Sequence, residues 1–436
     1  MEAYRDELAP IIESGDRFEL IDVAGTRYLD GTSSLWCNVH GHRVPEIDRA
    51  IREQLDRIGH STLLGLSSPP SIELARMLVD RVPAGLTKVF YSDSGATAVE
   101  AALKIAVQFH RQKPGGGEDR TLFAAVGGGY HGDTLGAVSV GRVERFHAMY
   151  GGLLFPTLVL PGPGGYRLPQ GHDAASWHAH CEADLERVVE EHRDQLAALI
   201  IEPLVQGAAG IQVHPAGYLR KAREVTQRHG ILLIADEVAV GFGRTGTLFA
   251  CEQEAVSPDL LCLGKGISGG YLPLAATLCT DSIYEAFLGP PSAGKTFYHG
   301  HTYTGNALGC AAAIASLRLL EQNHVLANVN ANATLIEREL APLLSHPHVG
   351  EVRQKGILVG LELVQDRSTQ QAFPAARRMG HRVTLSARKR GAIIRPIGDV
   401  VTLIPAPAMP SELVRQLCHI VMDSIDEATT RNPPSG

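Results

Sequence analysis

The sequence predicts an α/β protein with a mostly parallel central sheet in a large domain and a smaller α+β domain formed by both termini. Units of apolar strand, glycine-containing turn and helix recur through the first part of the chain, as crossovers between parallel strands require. Residues 231–235 and 260–263 are apolar throughout, which is typical of strands covered on both faces. Because 436 residues exceed one simple core, we expect more than one domain, with chain segments 1–45, 46–310 and 311–436.

Composition and charge exclude several classes of protein. The chain is 44% apolar and 20% charged, and its net charge of -7 is spread over interspersed basic and acidic residues. We find no basic tract that would attract nucleic acid or an anionic membrane and no apolar window of the length that spans a bilayer. The first residues lack the pattern of a signal peptide. We therefore expect a cytoplasmic protein without nucleic-acid or membrane partners.

The cysteines and histidines do not form a metal-binding pattern. The seven cysteines are scattered without a Cys-x-x-Cys pair, which is typical of reduced, buried thiols. Three His-x-His pairs lack a third ligand nearby, so loop histidines with ordinary partners are the simpler interpretation. We expect no resident metal.

A first turn of chemical interest follows a predicted strand at residues 88–92 and opens a helix. The turn, residues 92–96, contains serine and glycine. Its backbone N–H groups lie at the positive end of the helix dipole, where phosphate binds well. An ordinary helix N-cap is the alternative interpretation.

A glycine-rich loop follows at residues 127–141. Glycines on both sides of Tyr130 and His131 allow the backbone to approach a ligand closely, with an aromatic ring over it. The alternative is a loop in which these two side chains only complete the core.

The two apolar strands each end beside a charged residue. Asp236 directly follows residues 231–235, and Lys265 comes two positions after residues 260–263. The carboxyl ends of parallel strands meet at one edge of a sheet, so the carboxylate and the amine are expected to share a site. This pair suits pyridoxal phosphate, which needs a lysine for its Schiff base and an acidic group that keeps its pyridine nitrogen protonated. Taken singly, each residue is more simply explained as a strand-end or loop charge.

The C-terminal part predicts a second lobe. Helices are expected at about 311–322 and 331–344, and the alternating residues 356–364 predict a half-exposed antiparallel strand. Two short strands around Arg395 and a last helix at about 411–428 follow. We expect this lobe to pack with the N-terminal strands.

Residues 289–296 match the P-loop pattern of nucleotide-hydrolysing enzymes letter for letter. A true P-loop follows a buried strand and opens a helix. Here the preceding residues read as a helix and the following ones cannot start one. A P-loop enzyme is therefore kept only as a remote alternative.

Six segments occur in the order seen in class III pyridoxal-phosphate aminotransferases: SDSGA, GGYHGDT, DEVAVGFGRTG, GKGISGGYLP, GHTYTGN and RPIGD. The chain resembles this family over nearly its whole length, which implies a fold-type I transferase. Within the family, segments such as SSLWCNVHGH and HSTLLGLSSPP most resemble the subfamily that converts 8-amino-7-oxononanoate to 7,8-diaminononanoate in biotin synthesis. An ω-amino acid or diamine transaminase that uses pyruvate or 2-oxoglutarate is the alternative.

The resemblance implies roles for individual residues. Lys265 resembles the catalytic Schiff-base lysine, and Asp236 the partner of the pyridine nitrogen. Gly95 and Ala96 match the turn that holds the phosphate. Tyr130, with its neighbour His131, matches the tyrosine that stacks on the ring, and Val238 matches the residue behind the ring. His301 and Thr302 match a loop that reaches the neighbouring subunit's cofactor. This loop implies a homodimer with shared sites.

The resemblance also implies a set of substrate-binding residues. Arg395 matches the arginine that receives a substrate carboxylate, and Arg244 a second arginine near the site. The remaining positions are expected to shape the pocket: Leu35, Trp36, Tyr130 and Gly300.

Two departures from the family pattern concern the substrate site. The family usually begins with a Trp-x-Pro-(Tyr/Phe)-Thr segment that lines the site, and this chain starts after it, so either the start codon is misassigned or the pocket is completed differently. Leu35-Trp36 replaces a common Trp-Trp, and GHTYT replaces the Gly-Pro-Thr-Phe-Met of members that use S-adenosylmethionine. These features resemble the variant that takes its amino group from lysine, so lysine is favoured over S-adenosylmethionine as the donor.

Overall fold

A computed structural model describes residues 7–114, 120–141 and 143–430. The predicted segments 1–45 and 311–436 extend at their outer ends beyond these residues, and the predicted division into three segments stays a prediction. The strands are β1 (Ile12–Asp16), β2 (Glu19–Asp22), β3 (Arg27–Asp30), β4 (Leu86–Ser92), β5 (Leu122–Val126), β6 (Leu158–Leu160), β7 (Leu196–Ile201), β8 (Val205–Gln206), β9 (Gln212–Val213), β10 (Leu232–Asp236), β11 (Leu260–Leu263), β12 (Ala275–Thr280), β13 (Val349–Lys355), β14 (Leu358–Leu363), β15 (Ala392–Ile393), β16 (Arg395–Ile397) and β17 (Val400–Leu403).

The helices cover the sheets and connect their strands. They are α1 (Pro45–Leu55), α2 (Pro69–Val79), α3 (Gly95–Gln112), α4 (Leu135–Val140), α5 (Glu144–His147), α6 (Ala174–Glu191), α7 (Tyr218–Arg228), α8 (Asp281–Ala286), α9 (Ala307–Gln322), α10 (Val325–Leu340), α11 (Met379–Lys389) and α12 (Ser411–Thr430). Short 3-10 segments lie at Ala148–Leu153, Ala250–Glu254, Lys265–Ser268, Pro291–Ala293, Ala341–Ser345 and Ala375–Arg377.

The central sheet has seven strands in the order β4-β12-β11-β10-β7-β5-β6. All run parallel except β12, which is antiparallel to both of its neighbours. Strands β7, β10 and β11 are buried along their whole length, as their continuous apolar sequences require. The predicted α/β class with a mostly parallel sheet is confirmed.

Two smaller four-stranded sheets are built from the terminal parts of the chain, and one of them contains strands from both parts. One has the order β13-β14-β17-β16 and is antiparallel throughout. The other has the order β1-β2-β3-β15, in which β15 from the C-terminal part pairs in parallel with β3. The expectation that the C-terminal lobe packs with the N-terminal strands is therefore confirmed.

Strand β14 differs from the prediction, because every residue of it is buried. Its alternation of apolar and polar residues predicted one exposed face. Glu362 points inward and pairs with Arg353 at 2.9 Å and with Arg167 at 2.6 Å. A buried polar residue with one buried and one exposed charged partner therefore produced the sequence pattern of a solvent-facing position.

The second helix of the C-terminal lobe, α10, begins at Val325, earlier than predicted. Its first turns contain asparagines that made the amphipathic pattern look interrupted. Asn328 in these turns is nevertheless half-buried and donates to the carbonyls of Pro407 and Met409 at 2.8 and 3.0 Å. The sequence pattern missed these turns because polar side chains there bond to backbone inside the fold.

The P-loop-like residues 289–296 lie in a loop after helix α8 that contains only the short Pro291–Ala293 turn. This segment has neither the preceding strand nor the following helix of a nucleotide-binding loop. The fold therefore gives no structural support to the remote alternative, a P-loop enzyme.

Candidate active site

Two adjacent parallel strands bring the predicted catalytic residues together. Asp236 is the last residue of β10 and pairs in register with Cys262 of β11. Lys265 follows β11 by two residues. Both side chains line one chamber of about 420 Å³ at the carboxyl edge of the central sheet, which we call the cofactor chamber.

The carboxylate of Asp236 is fixed by two partners. His131 Nδ1 lies 2.7 Å from Oδ2, and the backbone N–H of Val238 donates to Oδ1 at 3.0 Å. Both the histidine and the aspartate are buried. An ionised Asp236 accepts both bonds when His131 carries its proton on Nδ1, so this pair holds a negative charge in a defined direction.

The amine of Lys265 lies in the same chamber, over the ring of Trp36 at 4.9 Å from its centroid. Lys265 has a left-handed backbone with φ of 43°. Burial lowers the pKa of Lys265, and the carboxylates of Asp236 and Glu202 oppose this only partly. A lowered pKa makes the neutral, nucleophilic and basic form of the amine more accessible.

Glu202 is a residue of the chamber to which the sequence analysis gave no role. It follows β7, is 3% exposed, and accepts the backbone N–H groups of Tyr130 and Gly207, both at 3.0 Å. Burial raises the pKa of Glu202 to about 7. The signal that singled out Asp236, an apolar strand that ends in an acid, is also present here.

Helix α3 points its N-terminus into the chamber. The side chain of Ser94 caps the helix by accepting the N–H of Thr97 at 3.3 Å. The backbone N–H groups of Gly95 and Ala96 precede the first intrahelical hydrogen bond, so they have no helix carbonyl to bind. A Cβ atom on Gly95 would lie 2.5 Å from Val238 Cγ1, so only glycine lets these two segments meet here.

These groups fit pyridoxal phosphate. The chamber combines an amine, a held carboxylate and a helix N-terminus that suits a phosphate. Tyr130 and Val238 also line it and are suited to enclose a flat ring.

A second chamber, also of about 420 Å³, adjoins the first and shares Trp36, Tyr130, Asp133 and Lys265 with it. We call it the substrate chamber. Its other lining residues are Leu35, Phe146, Ala208, Arg395 and Ile397. Sequence analysis gave no role to Asp133, Phe146, Ala208 and Ile397. Asp133 and Ile397 lie in the segments GGYHGDT and RPIGD, close to residues that were assigned, whereas Phe146 and Ala208 come from distant segments and carry no motif of their own.

Leu35 and Trp36 reach the substrate chamber from an unusual turn. Ser33–Trp36 have positive φ angles between 47° and 70°, a left-handed conformation that non-glycine residues rarely adopt in succession. Asp30 Oδ1 accepts the backbone N–H groups of Thr32 and Ser34 at 3.2 and 3.0 Å. Such strain persists where surrounding bonds enforce it.

Arg244 stabilises this turn through hydrogen bonds. It is 1% exposed and donates to Ser33 Oγ at 3.4 Å and to the carbonyl of Asn38 at 3.1 Å. It does not belong to the residues that line either chamber. Its guanidinium bonds to the turn, and its predicted substrate contact stays a prediction.

Gly300, His301 and Thr302 lie in a partly exposed loop and line neither chamber of their own chain. His301 Nδ1 is 3.8 Å from Asp93 Oδ2, close to the start of α3. Their predicted action on a neighbouring subunit's cofactor stays a prediction.

Over the residues that the structure describes, no three or more His, Cys, Asp or Glu side chains are placed to hold a metal ion. Within the same ranges, the helices are too short or too polar to cross a membrane.

The sheet and the cofactor chamber together define a pyridoxal-phosphate-dependent transferase. The family model for class III aminotransferases matches residues 3–425, and the chain belongs to this family. It is a transaminase whose cofactor is pyridoxal phosphate.

Individual relatives agree with this assignment. A protein of Nitratidesulfovibrio vulgaris named adenosylmethionine-8-amino-7-oxononanoate aminotransferase is 53% identical over 426 residues, which cover 98% of this chain and 79% of that protein. The crystal structure of the adenosylmethionine-8-amino-7-oxononanoate aminotransferase from Methanocaldococcus jannaschii is 42% identical with a TM-score of 0.92, over 98% of this chain and 95% of that one. A PLP-bound amine transaminase from an uncultivated Pseudomonas species is 36% identical with a TM-score of 0.92, over 98% and 97% of the two chains.

Replacing Lys265 with methionine is expected to stabilise the cofactor-free protein at pH 7. The unfolded lysine has a pKa of about 10.4, whereas burial lowers the pKa of Lys265 in the folded protein. The unfolded state therefore binds more protons, and wild-type stability rises with pH up to about 10.4. The Lys265→Met variant lacks this dependence, so its advantage over wild type should shrink between pH 7 and pH 10 in denaturant unfolding. Lys389→Met, at an exposed lysine, is the control. A Lys265→Met protein no more stable than wild type at pH 7 would contradict the lowered pKa of Lys265.

Proposed function

We propose that this aminotransferase converts 8-amino-7-oxononanoate to 7,8-diaminononanoate in biotin synthesis, as a cytoplasmic homodimer. The observation that carries the proposal is a substrate chamber lined by a guanidinium, Arg395, an amine, Lys265, and several apolar side chains. This arrangement suits a long-chain carboxylate with a reacting carbon far from its acid group. The names of the relatives that are 53% and 42% identical support the same substrate.

The cofactor chamber assigns each residue a task. Bound pyridoxal phosphate supplies an electron sink for negative charge at the substrate carbon. Lys265 Nζ is proposed to accept and return the proton of that carbon, because burial lowers the pKa of this amine. Asp236, held by His131 and the N–H of Val238, is proposed to face the pyridine nitrogen and keep it protonated.

The phosphate and ring contacts follow from the chamber walls. The free N–H groups of Gly95 and Ala96 are proposed to bind the phosphate. Tyr130 and Val238 are proposed to enclose the ring from its two faces. His301 and Thr302 are proposed to act in the neighbouring subunit, which agrees with the exposed apolar side chains of Tyr298 and Tyr303 on either side of them.

The substrate chamber offers groups for both ends of the oxononanoate. Arg395 is proposed to bind the carboxylate with two parallel hydrogen bonds. Leu35, Trp36 and Phe146 are proposed to cover the alkyl chain. Asp133, which accepts the hydroxyl of Tyr130 at 2.9 Å, is proposed to attract the ammonium group of the substrate.

A second candidate is an amine or ω-amino acid transaminase that uses pyruvate or 2-oxoglutarate. The observation that favours it is the similarity to the Pseudomonas amine transaminase, at a TM-score of 0.92 and 36% identity. The two candidates share every residue of the cofactor chamber and differ in the use of the substrate chamber.

We propose L-lysine as the amino donor. The support comes from Leu35-Trp36 and from the segment GHTYT, which resemble the lysine-using variant of the family. The names of the relatives contain adenosylmethionine instead, so S-adenosylmethionine is the competing donor.

A donor assay separates these candidates. Purified protein is mixed with 8-amino-7-oxononanoate and, in parallel, with L-lysine, S-adenosylmethionine or L-alanine, and diaminononanoate is measured by mass spectrometry. We expect product with lysine at a rate at least tenfold above that with the other donors. Product only with S-adenosylmethionine would overturn the donor. Absence of product with every donor, combined with transfer from simple amines to pyruvate, would overturn the biotin-pathway function in favour of the second candidate.

Replacing Arg395 with methionine is expected to weaken binding of the oxononanoate. Loss of hydrogen bonds to a charged group costs roughly 1.5–3 kcal/mol, so the KM for this substrate should rise about 10- to 100-fold, while kcat changes by less than about threefold. Arg76→Met, at an arginine that is 80% exposed, is the matched control. An unchanged KM in the Arg395 variant would show that the carboxylate binds elsewhere.

A further inference from the structure

The turn between β8 and β9 forms one wall of the substrate chamber. The carbonyl of Gly207 accepts the N–H groups of Gly210 and Ile211 at 3.1 and 3.0 Å, which closes the turn. Ala208 lines the chamber. A Cβ atom on Gly207 would lie 2.6 Å from Trp36 Cζ3, so the indole rests directly on this backbone. The position of the turn therefore affects both Ala208 and Trp36.

Arg353, in the neighbouring lobe, is hydrogen-bonded to this turn. It lies on β13, is 6% exposed, and donates through Nε and Nη2 to the carbonyl of Gly210 at 3.2 and 2.8 Å. Its charge is balanced by Glu362 at 2.9 Å and Glu351 at 2.7 Å. Arg353 itself does not line the substrate chamber.

The sheet that carries Arg353 also carries Arg395. Its strand order is β13-β14-β17-β16, with Arg353 on the first strand and Arg395 on the last. The two middle strands, β14 and β17, pack against the same turn. A Cβ atom on Gly360 would lie 2.7 Å from the carbonyl oxygen of Gly210, and one on Gly210 would lie 3.1 Å from Val400 Cγ2. The distance between Arg395 and the cofactor chamber thus depends on the packing of this sheet against the turn.

We propose that Arg353 is a positioning residue that sets the length of the substrate chamber by clamping the Gly207–Ile211 turn to the sheet that presents Arg395. This inference rests on the proposed role of Arg395 as the carboxylate anchor. The planar guanidinium places two donors on one carbonyl and keeps others for Glu362 and Glu351, which a lysine ammonium does not reproduce with the same geometry. The chamber therefore selects substrate length through a residue that substrate does not touch.

The test compares Arg353→Met and Arg353→Lys with Arg167→Met in the holoenzyme. Arg167 is the matched control, because it pairs with the same Glu362 at 2.6 Å but is not a donor to Gly210, and its side chain is 42% exposed. The substrates are 8-amino-7-oxononanoate and homologues one carbon shorter and one carbon longer. Pyridoxal phosphate affinity and the midpoint of thermal unfolding are measured for every variant.

In Arg353→Met we expect the KM for the oxononanoate to rise about tenfold, with kcat within about threefold of wild type and cofactor affinity within about twofold. The preference for the natural chain length over its homologues should be lost. Arg353→Lys, which keeps one charged donor, should recover part of the preference, and Arg167→Met should keep all of it.

Two results would overturn the proposal. One is an unchanged chain-length profile in Arg353→Met. The other is a uniform loss of activity on all homologues together with weaker cofactor binding, which would indicate a general role in stability.

Failure of the proposed function gives a different result, because wild type then does not use the oxononanoate at all. In that case the chain-length profile is taken from inhibition by straight-chain carboxylates from hexanoate to decanoate, which requires only the chamber and its anchor. A profile that is flattened in Arg353→Met would still support the positioning role, and an identical profile would overturn it.

Discussion

The structure depends on the burial of one amine and two carboxylates at the same edge of a parallel sheet. Removing a charged group from water costs several kcal/mol per ion unless partners replace the lost hydration. Asp236 has such partners in His131 and a backbone N–H, and Glu202 has two backbone N–H groups. Lys265 instead lies over the face of Trp36, in the field of the two acids, and burial lowers its pKa. The sheet thus places an amine where its protonated form is disfavoured. The neutral amine is then accessible as a base, which is the property that a proton-transfer residue needs.

The walls of the two chambers are held by bonds that do not reach the substrate. The left-handed turn that presents Leu35 and Trp36 is held by Asp30 and Arg244. Glu202 bonds at once to the backbone of Tyr130 and to Gly207, and so connects the aromatic wall of the cofactor chamber with the turn beneath Trp36. Pocket shape in this protein is therefore a property of buried hydrogen bonds between segments far apart in sequence.

How much the sequence could predict follows from where each signal lies. Asp236 and Lys265 were found because each follows an apolar strand, and strand order in a parallel sheet then brings them together. Phe146 and Ala208 could not be found, since their contact with the chamber arises from packing between distant segments. Polar residues with partners inside the fold made buried positions look exposed in the sequence pattern, as Glu362 does on β14. The expected substrate contact of Arg244 stays a prediction, because a motif match gives a residue's place in the chain but not the direction of its side chain.

The most direct test of the central claim is to identify which lysine binds the cofactor covalently. Cofactor-free protein is incubated with pyridoxal phosphate, treated with borohydride and digested, and the residue that carries the phosphopyridoxyl mass is located by mass spectrometry. The buried position of Lys265 beside Asp236 predicts a single modified residue, Lys265. Stoichiometric modification at another lysine, with Lys265 unmodified, would contradict the account.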